Sequence, residues 1–281
     1  MTIAGFCQSD IFFVESSCDG ETSVSARRRG HKAPKGYDPS EYPQFAVTVD
    51  VVILTIVDEH LQVVLVRRRD DPYKGMWALP GGFKRPDETL KDAASRELRE
   101  ETGVEAADYL SEFGAYGDPG RDPRMNVVTI GFLAVLRDVG DLAGGSDAVD
   151  ARLVPVADAI GGEVGLAFDH GRILQDAVER ARRDLETTSL AKAFVGPMFT
   201  LKSLRNVFEA VWETELDAAN FHRTMTRSAG LVVPTGSVVP PGSAGGKPAQ
   251  QFEFGPDYAA APMRRPPPEP REGKGRRDTD E

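Results

Sequence analysis

The hydrophobic pattern begins with two apolar runs, at 47–57 and 61–67, which are separated by the polar turn Asp58-Glu59-His60. Both runs are rich in Val, Ile and Leu, which is typical of β-strands. The turn predicts that the chain returns as a second strand after the first. Residues 127–136 and 152–156 have the same character and predict further strands.

One helix is predicted among these strands, over about 88–102. Leu90, Ala94 and Leu98 recur every four residues, which is the spacing of one helical face. A glycine-rich connection at 80–82 precedes the helix. Strands gathered around a single strong helix predict a compact mixed α/β domain at 43–160.

A mainly helical region follows and predicts a second domain at 161–236. Thr200 can cap one of its helices and Asp217 another. Residues 230–234 predict a brief strand. The first helix of the region carries an apolar stripe at helical spacing: Ile173, Leu174, Ala177, Val178, Ala181 and Leu185.

The two ends of the chain lack this periodicity. Residues 1–42 are rich in Ser, Gly and Arg, and residues 237–281 contain nine prolines among Gly, Arg and Glu. Segments of such composition bury too little apolar surface to offset their conformational entropy. Both ends are therefore predicted to be disordered tails.

Composition and charge narrow the class of protein. A net charge of −10 argues against a protein that coats nucleic acid, although a local basic face is compatible with it. The longest apolar run, 45–57, is too short and too polar to cross a bilayer, and no secretory signal is apparent. Cys7 and Cys18 lie in the first tail and form no disulfide framework or metal cluster. A reducing cytoplasm is therefore expected.

One motif carries chemistry. The chain reads Gly82, five residues, Glu88, seven residues, and then Arg-Glu-Leu-Arg-Glu-Glu-Thr-Gly-Val over 96–104. This matches the Nudix box at every specified position: G-x5-E-x7-R-E-U-x-E-E-x-G-U, with U apolar. Residues 43–160 thus resemble the Nudix hydrolase family.

The helical geometry of the motif supports the same conclusion independently. Glu97 and Glu101 project from nearly the same direction on a helix, and Glu100 lies within about 60° of Glu97. Such carboxylates repel one another unless a cation compensates them. The alternative is a solvated acidic face that Arg96 and Arg99 neutralise, but it does not account for the glycines at the two ends of the motif.

The resemblance implies a Nudix α/β/α sandwich with a mixed sheet, and a metal site within it. Glu97, Glu100 and Glu101 would bind Mg²⁺ or Mn²⁺, since these ions prefer carboxylate oxygens. The carbonyl of Gly81 is a further expected ligand. Arg96 would hold the carboxylates in position by ion pairing.

The implied reaction is metal-assisted hydrolysis of a diphosphate, in which the metal neutralises charge and activates a water. Such a reaction also needs a general base. In several relatives the base comes from a loop beyond the box, and this interpretation indicates Asp147. Glu97 or Glu100 could serve instead.

Four residues are expected to meet the substrate. Arg67, the first of three arginines at 67–69, ends a strand that leads toward the box, where these cations could meet phosphate or simply be solvated. Trp77 could stack on a base or fill the core. Pro119 lies about sixteen residues after the box, as is often found in Nudix enzymes that act on ADP-ribose, so Arg121 and Arg124 could contact the diphosphate or terminal ribose. ADP-ribose or a related nucleoside diphosphate is the expected ligand.

The second domain reads as a helix-turn-helix with a wing. Residues 199–205 and 216–221 are similar to the C-terminal domain of the NrtR group, Nudix-related regulators of NAD metabolism that bind DNA, generally as dimers. The resemblance implies a homodimer and a recognition helix that presents four residues: Asn220, His222, Arg223 and Arg227.

Residues 169–227 hold nine Lys or Arg and nine Asp or Glu, so this domain lacks the positive charge typical of DNA-binding domains. A helical module used only for dimerisation or for covering the active site is the alternative. Because the box is complete, the leading hypothesis is an enzyme that cleaves ADP-ribose to AMP and a sugar phosphate. The alternatives are an ADP-ribose-sensing repressor and a bifunctional protein.

Overall fold

The computed structural model describes residues 35–140, 142, 148–227, 230–240, 247–256, 258–260 and 262–267. Residues up to Pro43 form a unit of their own. Its described part contains a short 3-10 helix at Pro39–Glu41 and a stacked pair of rings, Tyr37 and Tyr42, with centres 5.7 Å apart.

A mixed sheet of seven strands is the centre of the first domain. The strands β3-β2-β1-β6-β5 lie side by side, β4 pairs with β1, and β7 pairs with β2. Only β1 and β6 run parallel, and the other pairs are antiparallel. The strands are β1 Ala46–Val57, β2 His60–Arg68, β3 Trp77–Ala78, β4 Gly81–Phe83, β5 Tyr109–Tyr116, β6 Val127–Val135 and β7 Ala148–Pro155.

Both faces of the sheet are covered. Alternating residues of β1 point to opposite faces: Val51 and Ile53 pack with the helix α1 (Leu90–Thr102), whereas Val52 and Leu54 pack with the long helix α3 (His170–Thr187). This arrangement confirms the predicted α/β/α sandwich.

The second domain contains a three-stranded sheet and a helix-turn-helix. Thr200 caps α5 through the backbone N–H of Ser203, as predicted, and the carboxylate of Asp217 accepts from the N–H of Asn220 at the start of α6. The strands lie in the order β8-β10-β9, which confirms the winged helix. The elements after β7 are α2 Val156–Gly161, α3, α4 Ala191–Val195, β8 Met198–Thr200, α5 Leu201–Trp212, α6 Ala218–Arg227, β9 Val232–Val239 and β10 Ala249–Phe254.

The prediction of disorder from residue 237 onward is wrong for part of that segment. Strand β10 pairs with both β8 and β9. Beyond it, Tyr258 is 3% exposed, and Arg265 pairs with Glu179 of α3 at 3.1 Å. The prediction rested on the proline content of the whole segment, whereas burial depends on single residues. Three aromatic side chains of the segment pack in the core: Phe252, Phe254 and Tyr258.

One hydrophobic core runs through both domains. The apolar stripe of α3 contacts the sheet on one side and α5 on the other. At the α5 side, the indole Nε1 of Trp212 donates to the carbonyl of Arg182 at 3.2 Å, and the Nε of Arg182 donates to the carbonyl of Val211 at 2.9 Å. Among the described residues, no helix has the length and hydropathy needed to cross a membrane.

Candidate ligand cleft, metal site and nucleic-acid interface

A cleft of about 500 Å³ opens beside β4 and the second half of α1, the helix that carries the box. One wall is formed by the carboxylates of α1, and the other by arginines from the end of β2 and from the loop between β5 and β6. Phe168 and His170, which lie at the start of α3, close the cleft from the side of the second domain.

Arg96 organises the acidic wall. Its guanidinium contacts Glu88 at 2.8 Å, Glu97 at 2.6 Å and Glu100 at 3.1 Å, and it also donates to the carbonyl of Phe83. The side chains of Arg96 and Glu97 are each 9% exposed and that of Glu88 is 13% exposed, whereas Glu100 is 40% exposed at the edge of the network. The ion pairing that the sequence indicated for Arg96 is therefore present in the structure.

The pKa values of two carboxylates in the network, Glu88 and Glu97, are shifted in opposite directions. Hydrogen bonds from Arg96 lower the pKa of Glu88 to about 2. Burial raises the pKa of Glu97 although Arg96 contacts it. A charged Glu97 is therefore under-compensated by the protein alone.

The donor set fits a hard divalent cation. Glu97, Glu100 and Glu101 all line the cleft, and Glu101 accepts from the N–H of Gly81 at 3.0 Å. The described residues contain no complete cage of three His, Cys, Asp or Glu ligands. A small cation such as Mg²⁺ needs no such cage, since it keeps waters and binds through a few carboxylates and substrate phosphates.

Gly82 is required by close packing against the acidic wall. A Cβ at this position would overlap the Oε1 atom of Glu97. Any side chain here would therefore displace this carboxylate, which explains the glycine at the start of the box.

The opposite wall contains two guanidinium groups that face one aromatic ring. The Cζ atoms of Arg68 and Arg124 lie 4.8 Å and 5.9 Å from the ring centre of Phe168. Asp122 grips Arg124 through two hydrogen bonds of 3.0 and 2.7 Å. Within the described part of the chain, Arg68 forms no salt bridge and donates only to backbone carbonyls, such as that of Pro72 at 2.8 Å.

An anion entering this wall would attract Arg68 more strongly than the ring does. Burial lowers the pKa of Arg68, and the charge of Arg124 lowers it further. A cation–π contact contributes about 0.5–1 kcal/mol at a partly exposed site, whereas a hydrogen bond between charged groups contributes about 1.5–3 kcal/mol. Arg68 is therefore placed to exchange the ring for a phosphate, whereas Arg124 is already bound by Asp122.

Phe168 has an unusual backbone conformation. Its φ of 52° lies in the left-handed region, where a bulky side chain costs on the order of 1–3 kcal/mol. The flanking residues fix it on both sides. The N–H of Ala167 donates to the carbonyl of Trp77 at 2.8 Å, and the Nδ1 of His170 accepts from the N–H of Leu79 at 2.9 Å.

A buried ion-pair cluster ties the cleft to the start of α3. Arg121 binds Asp169 at 2.7 Å and Asp50 at 3.4 Å, and its own side chain is 6% exposed. The Nε2 of His170 lies 3.6 Å from Asp50. Burial lowers the pKa of His170, and its Nδ1 is an acceptor, so the ring is neutral with its proton on Nε2.

The surface of α6 has a simpler construction. Phe221 and Met225 are buried in the domain core. The opposite face is exposed and carries the four residues expected to contact DNA: Asn220, His222, Arg223 and Arg227. Arg223 donates to the side-chain oxygen of Asn220.

Comparisons with known proteins agree with this architecture. Residues 46–177 match the family described as NUDIX domain, and residues 193–254 match the NrtR DNA-binding winged helix domain. The chain is 33% identical over 220 residues to an "ADPR responsive transcriptional repressor NtrR" of Acinetobacter baylyi, covering 78% of this chain and 85% of that one. The chain belongs to the NrtR family of Nudix proteins.

Two further relatives are an enzyme and a DNA-bound regulator. An ADP-ribose pyrophosphatase of Methanocaldococcus jannaschii is 36% identical over 159 residues, covering 55% of this chain and 87% of that one. A crystal structure of Shewanella oneidensis NrtR complexed with a 27mer DNA has a TM-score of 0.65 and 30% identity. It covers 76% of this chain and 95% of that one.

In this NrtR-family chain, some of the residues predicted from the sequence to bind the ligand line the cleft and others do not. Arg67 and Arg124 line the cleft, and so does Arg121, although its guanidinium is already bound by two carboxylates. Trp77 lies outside the cleft lining, with Arg152 4.0 Å above its ring, so the structure supports core packing for it. Asp147 lies outside the described residues.

Several cleft residues were missed by sequence reasoning. Asp50 and Asp122 carry no motif that distinguishes them from their neighbours, and Arg68 was indicated only as one of three consecutive arginines at 67–69. Phe168 and His170 belong to a segment assigned to the second domain. Only the folded chain brings the start of α3 to the Nudix cleft.

Proposed function

We propose that this chain is an ADP-ribose-responsive, DNA-binding transcriptional regulator. The observation that carries the proposal is the position of α3, which begins in the Nudix cleft and packs against α5 of the winged helix within one core. A ligand in the cleft and a DNA duplex on α6 would thus contact elements that share one hydrophobic core, so binding of one could affect binding of the other. The similarity to the Acinetobacter baylyi repressor supports both ligand and role.

The DNA contact would be made by α6. Its exposed face offers two arginines, which can bind phosphate or guanine edges, and Asn220, which can bind adenine. The second domain is neutral overall, so one copy provides few phosphate contacts. A homodimer that presents two such helices to two half-sites would supply the remainder.

The test is a gel shift with DNA from upstream of the chain's own gene. We expect binding that weakens with salt, is relieved by ADP-ribose, and is weaker in Arg223→Ala. Failure to bind any such fragment at every salt concentration would refute this function.

A second function, hydrolysis of ADP-ribose or a related nucleoside diphosphate to AMP and a sugar phosphate, is favoured by the complete acidic wall. Glu97, Glu100 and Glu101 would hold Mg²⁺ or Mn²⁺, with the carbonyl of Gly81 as a further ligand. When bound, the ion supplies positive charge to the diphosphate and lowers the pKa of the attacking water.

Side chains of the protein would position the metal ligands and the substrate. Arg96 keeps Glu97 and Glu100 directed into the cleft, and Arg124 is available to the diphosphate from the opposite wall. The proton of the attacking water would pass to Asp147, Glu97 or Glu100.

The test measures AMP release from ADP-ribose with Mg²⁺. We expect Glu101→Gln to lower kcat at least 100-fold, since it removes a metal ligand. The exposed Glu105, four residues further along, provides the matched control as Glu105→Gln. If the wild-type protein turns over none of a panel of nucleoside diphosphate derivatives, the enzyme is refuted while the regulator stands.

A further inference from the structure

Phe168 connects the cationic wall of the cleft to the helix that reaches the winged helix. Its ring lies beneath both Arg68 and Arg124, with the ring of Tyr73 packed edge-on at 4.7 Å. Its backbone leads within two residues into α3, which begins at His170. No other aromatic residue lining the cleft has this double connection among the described residues: Phe83 also lies beneath Arg124, at 5.5 Å, but belongs to β4.

The arginines help to hold Phe168 in its left-handed conformation. Their contacts with the ring stabilise a backbone geometry that a bulky residue otherwise avoids. A diphosphate in the cleft would form charge-assisted hydrogen bonds with Arg68 and Arg124, and these are stronger than the cation–π contacts they replace. The ring would then lose its contacts with the guanidinium groups and keep those with the rings of Tyr73 and His170.

Movement at Phe168 has a direct structural path to the second domain. Asp169 and His170 follow at once and are tied to the cleft by Arg121 and Asp50. The 18 residues of α3 then carry a shift of their first turn about 27 Å along the helix axis. Near its far end the helix meets Trp212, whose indole donates to the carbonyl of Arg182.

We propose that Phe168 is a positioning residue that holds Arg68 in the empty cleft and, when an anionic ligand takes this arginine, passes the occupancy of the cleft through α3 to the winged helix. This rests on the proposed regulatory function. The ring would act through Arg68 and α3, and the phosphates of the ligand would bind the arginines. Removal of the ring therefore separates ligand binding from the response.

The two tryptophans of the chain, Trp77 and Trp212, make the response measurable without DNA. In protein labelled with 5-fluorotryptophan, each gives one ¹⁹F resonance, and the variant Trp77→Phe assigns them. We expect ADP-ribose to shift the Trp212 resonance in the wild-type protein. In Phe168→Gly, which keeps the left-handed backbone without strain, ADP-ribose should still bind by calorimetry, with no more than a tenfold loss of affinity, but leave the Trp212 resonance in place.

Two variants exclude a merely structural role. Phe168→Tyr keeps the ring and should retain the shift. Phe83→Ala removes the other ring beneath Arg124, which has no link to α3, and should retain the shift as well. A Trp212 shift of wild-type size in Phe168→Gly would overturn the inference, and so would a loss of ADP-ribose affinity of more than tenfold.

These outcomes differ from failure of the proposed function. A wild-type protein that binds no ADP-ribose, or binds it without any effect on DNA affinity, refutes the regulator and this inference with it. A wild-type protein that binds ADP-ribose and releases DNA, while Phe168→Gly does the same, refutes the inference alone.

Discussion

The cleft and the α6 face hold their charged groups in opposite ways. In the cleft, Arg96 and Arg121 are largely buried and fixed by carboxylates. On α6, Arg223 and Arg227 are exposed. A buried, paired charge is preorganised, but removing its partner destabilises the fold. An exposed charge adapts to its ligand, and its loss affects binding alone. The two surfaces should therefore respond differently to the same kind of substitution.

The largest effect is expected for Arg96→Met. This change leaves Glu88, Glu97 and Glu100 without their shared cation, and breaking a buried pair costs about 3–5 kcal/mol. Urea unfolding at pH 7 measures the loss, with exposed Arg99→Met on the same helix as the control. A destabilisation below about 1 kcal/mol would contradict the buried network. If these carboxylates hold a divalent cation, added Mg²⁺ should restore part of the stability.

The acid sensitivity of the same network gives the second prediction. Arg96 lowers the pKa of Glu88 from 4.5 to about 2, so the folded state binds a proton less readily than the unfolded state. The stabilisation, roughly 1.5–3 kcal/mol, is present above pH 4.5 and is lost as the pH falls toward 2. Glu88→Gln should therefore destabilise the protein at pH 7, and the difference from wild type should narrow below pH 4.5.

Urea unfolding between pH 7 and pH 3 tests this dependence. Glu105→Gln, an exposed carboxylate outside the network, should differ little from wild type over the whole range. A Glu88→Gln difference that stays constant with pH would show that Arg96 does not hold this carboxylate.

The α6 face should show the converse behaviour. Arg223→Ala is expected to weaken DNA binding by about 1–3 kcal/mol if the side chain reads a base, with no measurable loss in the free energy of unfolding. Fluorescence anisotropy with the upstream fragment measures the first quantity and urea unfolding the second. The exposed Arg183 of α3 provides the control as Arg183→Ala, which should leave DNA affinity unchanged. Equal loss in the two variants would place the DNA elsewhere.

The sequence predicted the elements that depend on local contacts and missed those that depend on distant ones. Several elements are determined by residues that are neighbours in the sequence, so local patterns predicted them. They are strands β1 and β2, helix α1 with its glycine cap, and the helices capped by Thr200 and Asp217. Strand β5 was missed because Gly114 and polar residues interrupt its alternation. Strand β10 was missed because its partners, β8 and β9, are needed to bury Phe252.

The two walls of the candidate site also differ in how well the sequence predicted them. The acidic wall was predictable because one helix carries it, and helical spacing places Glu97, Glu100 and Glu101 together. The cationic wall was only partly predictable, since Arg67 and Arg68 look equivalent in the sequence. Burial separates them: Arg68 is half-buried above Phe168, whereas Arg67 is exposed. That distinction depends on a residue 100 positions away.

The smallest effect concerns two tyrosines with opposite expectations. The hydroxyl of Tyr258 is buried and has no hydrogen-bond partner within the described residues, whereas the hydroxyl of Tyr109 donates to Asp184 at 3.1 Å. A buried, unsatisfied polar group is costly, and a satisfied one stabilises the fold by about 0.5–1.5 kcal/mol. Tyr258→Phe should therefore be neutral or stabilise by up to about 1 kcal/mol, and Tyr109→Phe should destabilise. Thermal and urea unfolding of the pair measure both signs. A clear loss in Tyr258→Phe would mean that the hydroxyl has a partner, and the segment after β10 would then depend on a polar contact in addition to its aromatic burial.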